Sequence, residues 1–276
     1  MQPVNEHRTW DWTEEIGVDK STFAGVAIAL GGVVVGLLLE GGRFAQVLQP
    51  TAALIVLAGT AGAVLTQFPL EVVLQALKQV RDTLLKRKAE AEPVFDNLMR
   101  YAYKARRDGI LSLDVELAKI EDPFLKDSLM LAIDGVGANE LRKMMELQLE
   151  YRAEKDEQIP RVFEAAAGFA PTFGILGAVV GLIQIMQRLQ DIGEVGKGIA
   201  VAFVATVYGV GSANIFFLPW AGRLRLRLRE RQVVREMMLQ AVLAILEGVN
   251  PRTLETQLVC LRSGRPRKIP RKVAAR

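Results

Sequence analysis

Hydrophobic and charged positions along this chain are sorted into blocks. Four apolar stretches, 21–39, 50–70, 165–186 and 198–221, contain no Lys, Arg, Asp or Glu. Each has about the 20 residues that a helix needs to cross a hydrocarbon core. Between the second and third stretch the pattern changes. Val73, Leu74, Leu77, Val80 and Leu84 recur at three- and four-residue steps, which predicts an amphipathic helix running on from the second stretch. Pro93 interrupts it, and the helical pattern resumes in "VFDNLMRYAYKARRDG" and in "NELRKMMELQLEYRAEKDEQIPRVFEAAAG", with Gly109 and the segment 135–139 as separators. After the fourth stretch, "RLRLRLRER" alternates like a strand, yet its direct continuation from an apolar span argues for helix. "VVREMMLQAVLAILEGVNP" then gives one more amphipathic helix, stopped by Gly248, Asn250 and Pro251.

These elements predict an all-α, polytopic membrane protein with four transmembrane helices and a large helical cytoplasmic insert. The order is an N-terminal tail at 1–20, spans at 21–39 and 50–70, and a cytoplasmic helical domain at 71–164. Spans at 165–186 and 198–221 follow, then a basic tail at 222–276.

Charge sets the orientation. The connections 40–49 and 187–197 are short and poor in Lys and Arg, whereas 71–164 and the C-terminal region are rich in them, with Arg223, Arg225, Arg227, Arg229 and Arg231 directly after the last span. The positive-inside bias places both termini in the cytoplasm. The pI of about 9.2 is accounted for by arginines held against anionic lipid, and no nucleic-acid partner is expected. The N-terminus is polar and acidic, without the basic and apolar regions of a cleavable signal, and Trp10 and Trp12 suit a membrane interface. The single cysteine, Cys260, excludes an intrachain disulfide.

The spans are rich in glycine, which weakens helices in water and adds little apolar surface. Its value in lipid is close packing. The first span offers Gly25, Ala29, Gly32 and Gly36. The third offers Pro171, Gly174, Ala178 and Gly181, with a second small pair at Gly177 and Gly181, and the fourth offers Gly198, Ala202, Thr206, Gly209 and Ala213. Such strips pack either copies of the chain or helices within one copy. Counted from the external ends of their spans, Ala178 and Thr206 share a depth of roughly 12 Å. Thr206 is one of few hydroxyls there, either for an ion path or for its own helix backbone. Nothing in the spans titrates near neutral pH, since the lone His7 lies in the N-terminal tail. Were protons to cross here, another chain would have to bring the carrier. No nucleophile, base and orienting group fall together, so an enzyme is not expected, nor a cofactor. A solute carrier would need more polar midplane groups than Thr206, Tyr208, Ser212 and Asn214.

From about Phe23 to Leu261 the chain resembles the flagellar motor stator A-subunit family, MotA/PomA. The blocks that carry the resemblance are "ALGGVVVGLLLEGG", "LQPTAALIVLAGTAGAVLTQFPLE", "RRDGILSLD", "APTFGILGAVVGLIQIM", "GKGIAVAFVATVYGVGSANIFFLPWAG" and "AILEGVNPRTLETQL". The resemblance implies a protein of the bacterial inner membrane, five copies of which surround two B-subunits of MotB type. The B-subunit supplies the ion-carrying aspartate, and ion flow turns the ring against the rotor. Pro171 and Pro219 match the family's coupling prolines. Arg106 and Asp114 match the charged pair that meets the rotor's torque protein in the switch complex, with Arg107 as a second cation. Where the family usually has Glu, Asp114 is one methylene shorter. Sodium-driven members have threonine where this chain has Ala178, and a methyl group cannot ligate an ion, so the expected ion is H+. The alternatives are a sodium-driven stator, or an ExbB/TolQ-like energiser of outer-membrane processes. The energisers have three spans with the N-terminus outside, while two spans precede the insert here.

Overall fold

The computed structural model describes residues 20–42, 47–85, 91–187 and 192–263. The tail expected at 1–20 lies outside them but for residue 20, and with it His7, Trp10 and Trp12. Every regular element among the described residues is a helix. The chain divides into two compact units, one formed by 1–88 with 157–225 and the other by 89–156 with 226–276.

The first unit contains α1 (Lys20–Leu39), α2 (Pro50–Gln67), α3 (Leu70–Leu85), the C-terminal part of α7 (Ala138–Gln187), α8 (Ile192–Gly211), a π-helical turn (Ser212–Phe217) and the start of α9 (Leu218–Leu246). Among the described residues, three helices are long and apolar enough to cross a membrane, Pro50–Gln67 and stretches within Ala138–Gln187 and Gly198–Leu246, and α1 adds the shorter apolar run Ala24–Leu39. Pro50 opens α2 at its first turn, where a missing N–H is harmless, and Phe68 is extended (φ −121°, ψ 144°) because Pro69 follows it.

The third and fourth apolar blocks are parts of longer helices. Helix α7 runs unbroken through Pro160 and Pro171, and the Arg–Leu alternation after the fourth block lies on α9. An apolar block ends where water or lipid headgroups begin, which need not be where backbone hydrogen bonding ends.

Packing in this unit is built from small residues. Ala52 and Val56 of α2 bury against Val204 and Ala205 of α8, with Val201 and Tyr208 alongside. A second cluster joins Val64, Ala76 and Val80 to Ile159, Val162, Phe163, Ala166, Ala221 and Leu224. Trp220 stands edge-on to Phe163 at 5.8 Å. Arg225 pairs with Glu164 at 2.7 Å.

The second unit contains α4 (Ala91–Asp108), a 3-10 turn (Ile110–Leu113), α5 (Asp114–Leu117), α6 (Pro123–Ile133), the start of α7, the end of α9 and α10 (Pro251–Ser263). Leu98, Leu113, Phe124, Leu129 and Leu141 form its core with Met237, Met238, Leu243, Leu254 and Leu258. The described part of the stretch expected as a tail, 222–263, thus gives this core Met237, Met238 and Leu243 from α9 and Leu254 and Leu258 from α10, because the apolar stripes of both helices require burial.

Local signals set the helix ends. The carboxylate of Asp122 accepts from the N–H groups of Phe124 (2.8 Å) and Leu125 (3.1 Å), with Pro123 in the first turn of α6. Helix α9 stops at Gly248, whose φ of +68° suits glycine, and Val249 N–H reaches back to the Ala244 carbonyl at 2.9 Å.

Candidate functional site

The helix pair α7–α8 is closed by backbone on backbone. A Cβ added at Gly209 would lie 2.5 Å from the Ala170 carbonyl oxygen and 3.1 Å from the Cα atoms of Gly174 and Pro171. One at Gly174 would lie 3.0 Å from the Ala205 oxygen and 3.3 Å from the Cα atoms of Thr206 and Gly209. Gly177 faces Ala205, and Gly181 faces Ala202 and Gly198 at 3.1 Å. Around Gly32 and Gly36 of α1, by contrast, no described atom would come within 4 Å of such a Cβ. The two roles left open by the sequence therefore divide: Gly174, Gly177, Gly181, Gly198 and Gly209 pack within the chain, and Gly25, Gly32 and Gly36 of α1 are bare.

Against Thr206 the structure sets Gly174, while Ala178 is half-buried one turn nearer the Gln187 end of α7. The Thr206 hydroxyl donates to the Ala202 carbonyl of its own helix at 3.4 Å, a long bond. Two residues on, the Tyr208 hydroxyl donates to the Val47 carbonyl at 2.5 Å and accepts from Gln49 N–H at 3.3 Å. It thereby ties the backbone just before α2 to α8.

The π turn precedes Pro219, which is exposed, and Pro171 is half-buried. Leu218 N–H reaches the Ala213 carbonyl, five residues back. Proline at 219 has no N–H for the carbonyl four residues earlier and its ring crowds that carbonyl; the wider turn relieves both. Ser212 donates to the Gly209 carbonyl (3.1 Å) and Asn214 to the Val210 carbonyl (2.9 Å).

In the second unit, Gly109 (φ +84°) turns the chain from α4 into the 3-10 segment. The Arg106 guanidinium donates through Nη1 to the Gly248 carbonyl at 2.7 Å and, with Ala102, Ala105, Ile245, Val249 and Leu254, lines a pocket of about 230 Å³. Arg107 is engaged bidentately by its neighbour Asp108, Nε to Oδ1 at 2.9 Å and Nη2 to Oδ2 at 2.8 Å. That hydrogen bonding holds the Asp108 carboxyl below the usual range. Asp114 is exposed at the start of α5 and makes no ion pair among the described residues.

Glu116, absent from the sequence-based candidates, is the hub of the region. It is only 14% exposed and binds Lys104 at 2.7 Å, Lys119 at 3.6 Å and Arg100 at 3.9 Å. The signal available for it was the pair Arg100 and Lys104, four residues apart on one face of α4, awaiting a carboxylate. The Lys104 hydrogen bond, then the charges of Lys104, Lys119 and Arg100, hold the Glu116 carboxyl below its ordinary value. A carboxyl with a lowered folded pKa stabilises fully above the normal glutamate range, and that contribution drains as pH falls through the lowered value. Glu116→Gln is expected to flatten the acid limb of a plot of melting temperature against pH. Parallel profiles for the two proteins would refute the clamp.

Two family descriptions match the chain in tandem: residues 23–109 match the motility protein A N-terminal region and 116–237 the MotA/TolQ/ExbB proton channel family. Motility protein A of Bacillus subtilis is 32% identical over 88% of this chain and 90% of its own length. The chain belongs to the MotA/TolQ/ExbB proton channel family. Among other members similar to it, motility protein A of Helicobacter pylori is 31% identical over 91% of this chain and 98% of its own. Chemotaxis protein PomA of Vibrio alginolyticus is 29% identical over 87% and 94%. A chain of the Campylobacter jejuni MotAB structure superposes with a TM-score of 0.82 at 31% identity, covering 92% of this chain and 98% of that one. For the flagellar MotAB stator complex of B. subtilis the TM-score is 0.77 at 32% identity, covering 87% and 95%. The α7–α8 pair falls in the MotA/TolQ/ExbB match, which Glu116 opens; its partners Arg100 and Lys104 lie with Arg106 in the first matched region, and Asp114 falls between the two.

Proposed function

We propose that the chain is the ion-conducting A-subunit of a bacterial flagellar stator, which couples H+ flow across the inner membrane to rotation of the rotor. The observation that carries this reading is the nearly end-to-end match to a chain solved in a MotAB complex, at a TM-score of 0.82. It assembles as a homo-oligomer, five copies with two B-subunits, with both termini in the cytoplasm, and does no enzymatic chemistry. The bare glycine face of α1 supports such an assembly, since close helix association in lipid needs small residues.

The four apolar segments contain no carboxylate, so the carrier aspartate comes from the B-subunit. The long bond of Thr206 leaves its hydroxyl free to turn towards water or that carboxylate. Ala178 supports H+ over sodium, because a hard cation exchanges its water shell for oxygen ligands and a methyl group offers none. Pro171 and Pro219 bend the path helices as ions pass, and Arg106, Asp114 and Arg107 meet the rotor.

Motor speed tests the ion. Rotation is expected to persist when sodium is removed with the proton gradient maintained, and to stop with a protonophore. Rotation that stops without sodium yet survives the protonophore would reverse the assignment. A native mass other than five A chains to two B chains would overturn the assembly.

A further inference from the structure

Helix α8 presents three sides. At about 100° per residue, Gly198, Ala202 and Gly209 share the side closed on α7, while Val201, Val204, Ala205 and Tyr208 share the side packed on Ala52 and Val56 of α2. The third side, with Phe203, Val207 and Val210, is exposed. Thr206 stands at the edge between the exposed side and the α7 side, with its Cα 3.3 Å from where a Cβ of Gly174 would lie. Its own bond to the Ala202 carbonyl is long, 3.4 Å, so the direction its hydroxyl faces depends on how α8 is turned about its axis. A roll of roughly half the angle between successive residues would carry it into the α7 backbone or out to the exposed side.

The apolar contacts set that roll weakly. Methyl groups of alanine and valine attract without direction, and the glycines on the α7 side have no side chain to interlock. Hydrogen bonds are directional. The Tyr208 hydroxyl donates to the Val47 carbonyl at 2.5 Å and accepts from Gln49 N–H at 3.3 Å, two bonds to one short backbone segment. It lies about 200° round the helix from Thr206. We infer that Tyr208 is a positioning residue for the ion path, an inference that rests on the stator reading above: its pinned hydroxyl fixes the roll of α8 and thereby aims the Thr206 hydroxyl.

Tyr208→Phe tests this, since it removes one oxygen and keeps the ring packed against α2. The variant is produced with its B-subunit in cells that have no other stator, and the rotation driven by single stator units is followed at low load and at stall, with the mass of the purified complex as the fold control. Near stall the torque is set by the driving free energy of the ion; at low load the speed is set by the rate of its transfer. Tyr208→Phe is expected to slow low-load rotation at least about twofold, the lower end of what one hydrogen bond contributes to an equilibrium, with stall torque and complex mass unchanged. Thr206→Ala is expected to slow rotation as well, and the double variant to be no slower than Thr206→Ala alone, because both changes remove the same contribution. Tyr208→Phe at wild-type speed overturns the inference, as does a double variant in which the two losses multiply. An altered complex mass or a reduced stall torque makes Tyr208 a brace for the fold and overturns it too. Thr206→Ala at wild-type speed takes the hydroxyl out of the path and the inference with it, while the stator reading stands. If the wild-type pair turns no motor, the stator reading itself fails.

Discussion

Gly209→Ala, the addition of one methyl group, is expected to destabilise the chain by about 1–3 kcal/mol, the usual range for overpacking, and to abolish motility. The new Cβ would sit 2.5 Å from the Ala170 carbonyl oxygen and 3.1 Å from two Cα atoms. All three neighbours are backbone, so no side chain can rotate away and the helices α7 and α8 must part. Parting them also opens the contacts at Gly174 and Gly177. Gly168→Ala, on α7 itself, is the matched control: the chemistry is the same, the helix propensity improves by roughly 1 kcal/mol, and no described atom lies within 4 Å. Thermal unfolding of the detergent-solubilised protein should show a fall for Gly209→Ala alone. Equal melting temperatures for the two variants would mean that the helix pair is not packed as described.

Pro219→Ala should act in the opposite direction on stability and still stop the motor. Restoring an N–H at 219 lets the wide turn at Ser212–Phe217 tighten into regular α-helix, with a gain of up to about 3 kcal/mol, the cost of a proline in a helix interior. The amide at 219 should then be protected in hydrogen exchange, and swimming should be lost if the turn is a joint in the conduction cycle. A π turn that survives in the alanine variant would show that Ser212 and Asn214, through their bonds to the Gly209 and Val210 carbonyls, hold it without the proline.

What the sequence revealed depended on the range of the signal. The apolar blocks and the stop at Gly248 are local, fixed by composition or by neighbours within four residues, and could be read directly. Gly174, Gly181 and Gly209 were legible as small, but their role within the chain depends on which helix faces them, and that is tertiary information. Gly32 and Gly36 have the same spacing and no partner here. The π turn could not be read from composition, since many membrane prolines leave no such trace. Glu116 escaped because two of its three cations, Arg100 and Lys104, lie on another helix and only Lys119 is near it in sequence.

The contact between Arg106 and Gly248 bears on speed. A guanidinium tied to a carboxylate of its own chain would have to break an ion pair before meeting a partner, and that delay would recur at every encounter. Here one nitrogen is held by a neutral carbonyl at 2.7 Å, and the planar group has N–H donors to spare. An arriving carboxylate joins the existing contact instead of displacing it, and its departure leaves the arginine where it stood. If this surface meets the rotor as proposed, it needs no resetting step between one engagement and the next.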